Sequence, residues 1–215
     1  MGPLLFIIYI NDIDNQINRL LKFADDTKIY FKVNSPENIE RLREDLCKLV
    51  SWSKEWQMLF NIEKCKVMHL GSVLINNSQS SSWSIGYDNP HASYFMDGNR
   101  LQVVSEEIDL GVIMSEDLKW EKQCVAAVKQ GNKILGMIKH NFTDRSEETI
   151  MSLYKSLVRP HLEFCTPVWS PNLVKDSKLI KSVQRRATKL VQGIEHWKYE
   201  NRLAYLRLPR LDMRS

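Results

Sequence analysis

The sequence predicts an α+β protein: an antiparallel sheet with packed helices over residues 1–115, then an all-helical region over residues 116–215. Three observations carry this prediction. Short apolar runs, each the length of a strand and bounded by turn-forming residues, recur as far as Met114. From Trp120 onward the apolar residues step by three and four, the period of a helix. The charge also changes sign: residues 1–110 carry 11 Lys/Arg against 15 Asp/Glu, and residues 111–215 carry 19 against 11. The balance therefore moves from −4 to +8, an acidic half suited to cations followed by a basic half suited to a polyanion.

The organising stretch is Leu20–Tyr30, LLKFADDTKIY. Leu20, Leu21 and Phe23 precede the pair Asp25-Asp26, and Ile29 and Tyr30 follow it. Such runs predict two strands joined by a tight turn, with both carboxylates at its tip and the flanks at a buried sheet edge. Adjacent carboxylates repel, and a bound cation is the direct way to keep both ionised. Mg²⁺ suits oxygen donors, and two such ions can align an attacking hydroxyl and stabilise a leaving phosphate oxygen. Adjacent aspartates are also ordinary turn formers, so the pair by itself does not decide between the two roles.

Ahead of the hairpin, Pro3–Ile10 enters the core as helix or strand. After it, Ser35 fits an N-cap, Pro36 the first turn and Glu37 the positive end of the helix dipole. Ile39, Leu42, Leu46, Leu49, Ser53 and Trp56 form the inward face of a helix about 20 residues long. Asn61–Gly71 reads as a strand with imperfect alternation, where Lys64 is either a cation for a triphosphate or a solvated lysine. Ser72–Gly98 is a Ser/Asn-rich loop or loose hairpin in which Trp83, Ile85 and Tyr87 alternate. Leu101, Val103 and Val104 suggest a strand, and Ile108–Met114 another, with Gly111 marking a bulge or a close backbone approach.

In the basic half, Cys124, Val128, Leu135 and Ile138 share a helical face that Gly131 and Gly136 weaken. Asp144 and Glu147 suggest a loose capping box. Ile150, Leu153, Tyr154, Leu157, Val158, His161 and Leu162 form an inner face that Pro160 should kink or end. Asp176–Gly193 is the clearest amphipathic helix. Leu179, Val183, Ala187, Leu190 and Val191 face inward, while Lys178, Lys181, Arg185 and Lys189 form a stripe with Arg186 beside it. That stripe is either a phosphate-binding surface or an ordinary solvated face. Trp197–Leu208 reads as a final short helix.

Four well-separated cysteines, Cys47, Cys65, Cys124 and Cys165, make no CxxC pair and no zinc spacing, which points to a reducing compartment. Leu4–Ile10 is too short to span a membrane and lacks the basic start and cleavage site of a signal peptide. Gly2 is present, but Phe6 replaces the Ser or Thr of a myristoylation motif. The chain is expected neither in a membrane nor secreted. It enters its apolar core at the third residue, as a chain that begins inside a domain would.

Five blocks in order, GPLLFIIYINDI, LLKFADDTKIY, WQMLFNIEKCKVMHLG, IDLGVIMSEDLKW and LYKSLVRPHLEF…VWSP, resemble the reverse transcriptase of non-LTR (LINE-type) retrotransposons, nearest in flavour to the jockey and chicken-repeat lineages. The resemblance covers almost the whole chain and is weakest over Ser72–Gly98. It implies part of a right-hand polymerase, with the palm at residues 1–115 and a helical thumb-like region at 116–215. Phe23-Ala24-Asp25-Asp26 would be the palm hairpin, with Asp25 the firm metal ligand and Asp26 beside it. Gly2 and Pro3 would close the motif beneath the nucleotide. Asn61 and Lys64 would lie near the triphosphate, and Gly111 in the primer-gripping hairpin. The implied partners are an RNA template with a DNA primer and deoxynucleoside triphosphates, with Mg²⁺ (or Mn²⁺) as cofactor. An intact element acts in cytoplasm and nucleus, although this chain shows no targeting signal.

The family also carries an upstream palm aspartate, a Gln-Gly before Gly2, the fingers and an endonuclease. None of these is in the sequence, so the two-ion site is expected to be incomplete and the isolated chain inactive; misplacement of order 1 Å already costs about a hundredfold. The alternatives are a catalytically dead nucleic-acid-binding remnant and a truncated open reading frame without function.

Overall fold

The computed structural model describes residues 2–15, 17, 19–71, 91–171, 173–209 and 211. The chain divides into two compact units, Met1–Glu106 and Glu107–Ser215. The sequence placed this boundary near residue 115. The difference is one hairpin, which packs with the helices that follow it.

In the first unit, α1 (Gly2–Ile10) settles the helix-or-strand question as helix. It is apolar all round, yet Leu4, Leu5 and Ile8 are exposed while Ile10 is buried. The hairpin strands β1 (Leu20–Phe23) and β2 (Asp26–Ile29) pair antiparallel, with Leu20 opposite Ile29 and Phe23 opposite Asp26. The expectation of buried flanks holds for one face only. Leu20 and Ile29 are half-buried, whereas Leu21, Phe23 and Tyr30 lie open, as period-2 alternation requires of a two-stranded sheet.

Helix α2 (Pro36–Glu55) starts as its sequence dictates, with Ser35 Oγ accepting the Asn38 N–H at 3.3 Å and Pro36 in the first turn. Leu46, Leu49, Trp52 and Ser53 are buried on it. Leu46, Leu49 and Trp52 join Ile10, Ile13, Ile17, Tyr94, Met96 and Leu101 in the unit's core. The Tyr9 hydroxyl donates to the Trp56 carbonyl at 2.8 Å, and the two rings meet edge to face.

The predicted single antiparallel sheet is replaced by small separate pairs. Among the described residues there are four two-stranded sheets. The strand expected over Asn61–Gly71 shrinks to β3 (Lys66–Val67), which pairs parallel with β6 (Gln102–Val103). β4 (Phe95–Met96) and β5 (Asn99–Arg100) form a hairpin against α2. The alternating Trp83, Ile85 and Tyr87 lie outside the described residues. Ile108–Met114 is no single strand: β7 (Glu106–Asp109) and β8 (Val112–Ser115) flank a turn at Leu110-Gly111, both residues having positive φ. Gly111 therefore serves a turn rather than a bulge.

The second unit is otherwise helical: α3 (Glu121–Asn141), α4 (Glu147–Leu153), a π turn (Tyr154–Val158), α5 (Arg159–Glu163), α6 (Thr166–Trp169), α7 (Val174–Thr188) and α8 (Tyr199–Tyr205). Gln123 Oε1 accepts the Ile113 N–H at 2.9 Å and ties the β7–β8 hairpin to α3. Gly131 does more than weaken its helix. A Cβ there would come within 3.1 Å of Val183 and 3.2 Å of Leu162, so its bareness lets α3 approach α7 and α5. The cap of α4 is Ser146, not Asp144. Asp144 instead accepts from the Ser146 N–H and from the Ser146 and Thr149 hydroxyls, which hold its carboxyl below the usual range.

Pro160 is accommodated by the π turn. The Arg159 N–H reaches back five residues to the Tyr154 carbonyl, just before the residue that has no N–H to give. The wider turn keeps Ile150, Tyr154, Val158 and Leu162, each four apart, on one buried face. His161, expected on that face, is exposed, and so is Leu157.

Candidate functional site

The aspartate pair sits where two strands meet. Ala24 and Asp25 form the turn, and Asp26 opens β2 opposite Phe23. Ala24 has φ +53°, a left-handed conformation that costs a residue with a Cβ about 1–2 kcal/mol. Both carboxylates are exposed, and neither joins a hydrogen bond or ion pair with the described residues. Among those residues no group of three or more His, Cys, Asp or Glu is gathered for a metal. The donor set of the hairpin is thus two unengaged carboxylates, hard oxygen ligands of the kind that share Mg²⁺ with substrate phosphates and water.

One residue that the sequence reading passed over anchors this hairpin. Lys22 Nζ donates to the carbonyl of Ile10, the last residue of α1, at 3.2 Å and to that of Asn11, which opens the 3₁₀ turn after it, at 3.3 Å. A cation there answers the negative helix end and fixes the hairpin against α1. The signal was available. In LLKF, alternation puts Lys22 on the same face as Leu20, an odd place for a lysine unless it has a job.

The other expected site residues fall into separate groups. Gly2 and Pro3 open α1. Asn61 and Lys64 share one short 3₁₀ turn, where the Lys64 N–H donates to the Asn61 carbonyl at 3.0 Å and both side chains are exposed. No hydrogen bond or ion pair among the described residues links Lys64 to the aspartates. Gly111 lies in the β7–β8 turn, where a Cβ would stand 3.1 Å from the Phe164 ring; Leu110 beside it is exposed.

Of the basic stripe, Lys178 and Arg185 are exposed on α7, Lys181 is half-buried, and Lys189 is exposed at the helix end. The stripe is only partly free. The Arg185 guanidinium lies 4.7 Å from the centre of the Tyr199 ring, and Arg186 donates to Asn132 Oδ1 at 3.1 Å. Ile180 is buried on the inward face, whereas Leu179, expected there, is on the exposed flank. Among the described residues no helix is long and apolar enough to cross a membrane.

The family model described as Reverse transcriptase (RNA-dependent DNA polymerase) matches residues 1–138. This span holds the aspartate hairpin, the Asn61–Lys64 turn, the β7–β8 hairpin and most of α3, and it ends before α4. No curated protein and no solved structure matches the chain.

Proposed function

The chain belongs to the reverse transcriptase (RNA-dependent DNA polymerase) family, and from that membership we propose that it is the palm and thumb part of the RNA-directed DNA polymerase of a non-LTR retrotransposon. In the intact element-encoded protein, a primer 3′-hydroxyl would attack a deoxynucleoside triphosphate opposite an RNA template. The observation that carries the reading is the hairpin Phe23-Ala24-Asp25-Asp26 within the matched span, with both carboxylates exposed at its tip.

Asp25 and Asp26 would hold the divalent cation, Mg²⁺ or Mn²⁺. When bound, that cation supplies charge neutralisation at the phosphates and lowers the pKa of the attacking hydroxyl. The chain's own part is position and field. Lys22 pins the hairpin to α1, so the carboxylates sit on a fixed mount. Lys64, exposed on its 3₁₀ turn, offers an ammonium to the triphosphate, and Asn61 three residues earlier offers an amide. The turn at Leu110-Gly111 would face the primer end. Lys178, Lys181, Arg185 and Lys189 would meet backbone phosphates, a sequence-independent attraction that weakens with salt.

Primer extension on an RNA template tests this, using the intact element-encoded protein with and without Asp25→Ala. The expected loss is at least about a hundredfold, as for misplaced catalytic geometry. Undiminished extension by the variant would overturn the assignment of Asp25. This chain assayed alone is expected to be inactive, because two-ion transfer needs a further carboxylate beside this pair.

A second reading, nucleic-acid binding without catalysis, draws on the exposed cations of α7. It predicts duplex binding by the chain alone that weakens steeply between low and moderate salt. Binding indifferent to salt would remove it.

A further inference from the structure

Beyond the residues matched to the polymerase family, the segment from Val191 to Leu208 carries two features that the polymerase reading does not use. Trp197 and Tyr205 are 38% and 51% exposed, and their rings meet edge to face with centroids 5.4 Å apart. Large aromatics left open to water in contact with each other lose a burial that most such pairs gain.

These rings are also held in place. Arg202, 2% exposed, sends Nη1 to the Trp197 carbonyl at 2.5 Å and to the Glu195 carbonyl at 3.4 Å. Its Nε donates to Thr188 Oγ1 at 3.0 Å, and its Nη2 to the Arg185 carbonyl at 3.5 Å. One guanidinium thus ties the loop that bears Trp197 to the end of α7. Tyr205 is three residues beyond Arg202 on α8, one helical turn on. Tyr199 is locked as well, its hydroxyl donating to Gln184 Oε1 at 2.7 Å with the Arg185 guanidinium against its ring.

The segment's sequence is rich in cations. From Arg185 to Leu208 the sequence holds Arg185, Arg186, Lys189, Lys198, Arg202 and Arg207 against only Glu195 and Glu200. A held, exposed aromatic pair in the same segment as the exposed cations Lys189, Lys198 and Arg207 combines the two elements that hold unpaired nucleic acid, ring faces for bases and cations for phosphates.

We infer that Trp197 and Tyr205 form a stacking platform for single-stranded nucleic acid, with Lys189, Lys198 and Arg207 meeting its backbone. Every base has a π-face, so the platform takes any sequence; RNA and DNA share the recognised chemistry. This site differs from a duplex-binding face, because a paired base has both faces already stacked and offers none to the tryptophan.

The test is fluorescence anisotropy on the full chain with three labelled probes: a twelve-nucleotide oligo(U), the matching oligo(dT) and a duplex of the same length. Trp197→Ala should weaken binding of a single strand by about 5- to 150-fold, the ratio expected for one lost base stack. Trp197→Phe should restore most of it, and duplex binding should move less than about threefold. A Trp197→Ala effect on oligo(U) alone would mean that the site reads the ribose hydroxyl, and on both strands that it reads bases and phosphates only; either supports the platform. Equal losses on single strands and duplex would overturn it, as would no loss or no single-strand binding at 50 mM salt. A change confined to the sedimentation of the free chain would make the face a contact between copies and overturn it too. Far-UV circular dichroism on each variant separates these results from misfolding. The assay needs no nucleotide addition, so it is decided apart from the polymerase reading.

Discussion

Replacing Arg202 by methionine should unlatch the end of the second unit. The side chain is 2% exposed, and burial pulls its guanidinium below the usual arginine value. Methionine keeps the apolar stem and removes the charge and every donor. The two closest bonds, to the Trp197 carbonyl at 2.5 Å and to Thr188 Oγ1 at 3.0 Å, set the scale. Each bond to a charged group contributes roughly 1.5–3 kcal/mol, so their loss is bounded at about 3–6 kcal/mol. Relief of the buried charge returns part of this, since desolvating an ion costs several kcal/mol. The bonds at 3.4 and 3.5 Å add little. A net loss of about 2–3 kcal/mol remains.

The assay is urea unfolding of the whole chain followed by far-UV circular dichroism, a signal that the helices of the second unit dominate. With a slope of about 2 kcal/mol per molar urea, the midpoint of that transition should fall by about 1–1.5 M. Lys133→Met, on the exposed side of α3, is the control and should stay within about 0.5 kcal/mol of the parent. If Arg202→Met unfolds with Lys133→Met, the guanidinium is not the latch, and the physical account of the C-terminal helix fails.

Two further predictions concern packing and pH. On α3, alanine at Gly136 meets open space and should stabilise by about 1 kcal/mol through helix propensity. At Gly131 the same change meets Val183 and Leu162, both buried, and overpacking of about 1–3 kcal/mol should cancel or reverse the gain. Equal stabilisation at both positions, measured by thermal melts, would contradict the close approach of α3 and α7. Burial, aided by nearby Asp176, pushes the Cys124 thiol up to about 11 from its ordinary 9.0. Its folded-state pKa is raised, so its contribution is complete below pH 9 and is lost as pH rises toward 11. Buried Tyr154, also raised by desolvation, acts in the same direction at higher pH. Melting temperature should therefore fall through this window, and Cys124→Ala should flatten part of the fall; an unchanged profile would exclude the thiol.

How far the chain could be read in advance is clearest in particular stretches. The aspartate hairpin was legible because alternation and a turn pair are local signals, and so was α2, whose cap, proline and apolar face all lie within its own residues. The helical period after Trp120 was legible too, although the unit that holds it also contains the β7–β8 hairpin. The five ordered blocks led to the polymerase family, to which the matched span from residue 1 to 138 belongs.

What sequence left open depended on partners distant in the chain. Nothing local says that Gly111 turns a hairpin rather than bulging a strand, because both need a positive φ. Whether Gly131 is a weakness or a docking notch is decided by Val183, 52 positions away. The π turn before Pro160 appears only when the i→i−5 bond is seen. Nothing within the short helix YENRLAY marks Arg202 for burial, and its place under the end of α7 and the Trp197 loop follows only from the fold. The chain by itself determined the aspartate hairpin and the start and inward face of α2, because those are short-range properties of backbone and side chain. Tertiary structure decided which polar groups are buried and which aromatics stay in water, because burial is a property of what packs against a residue.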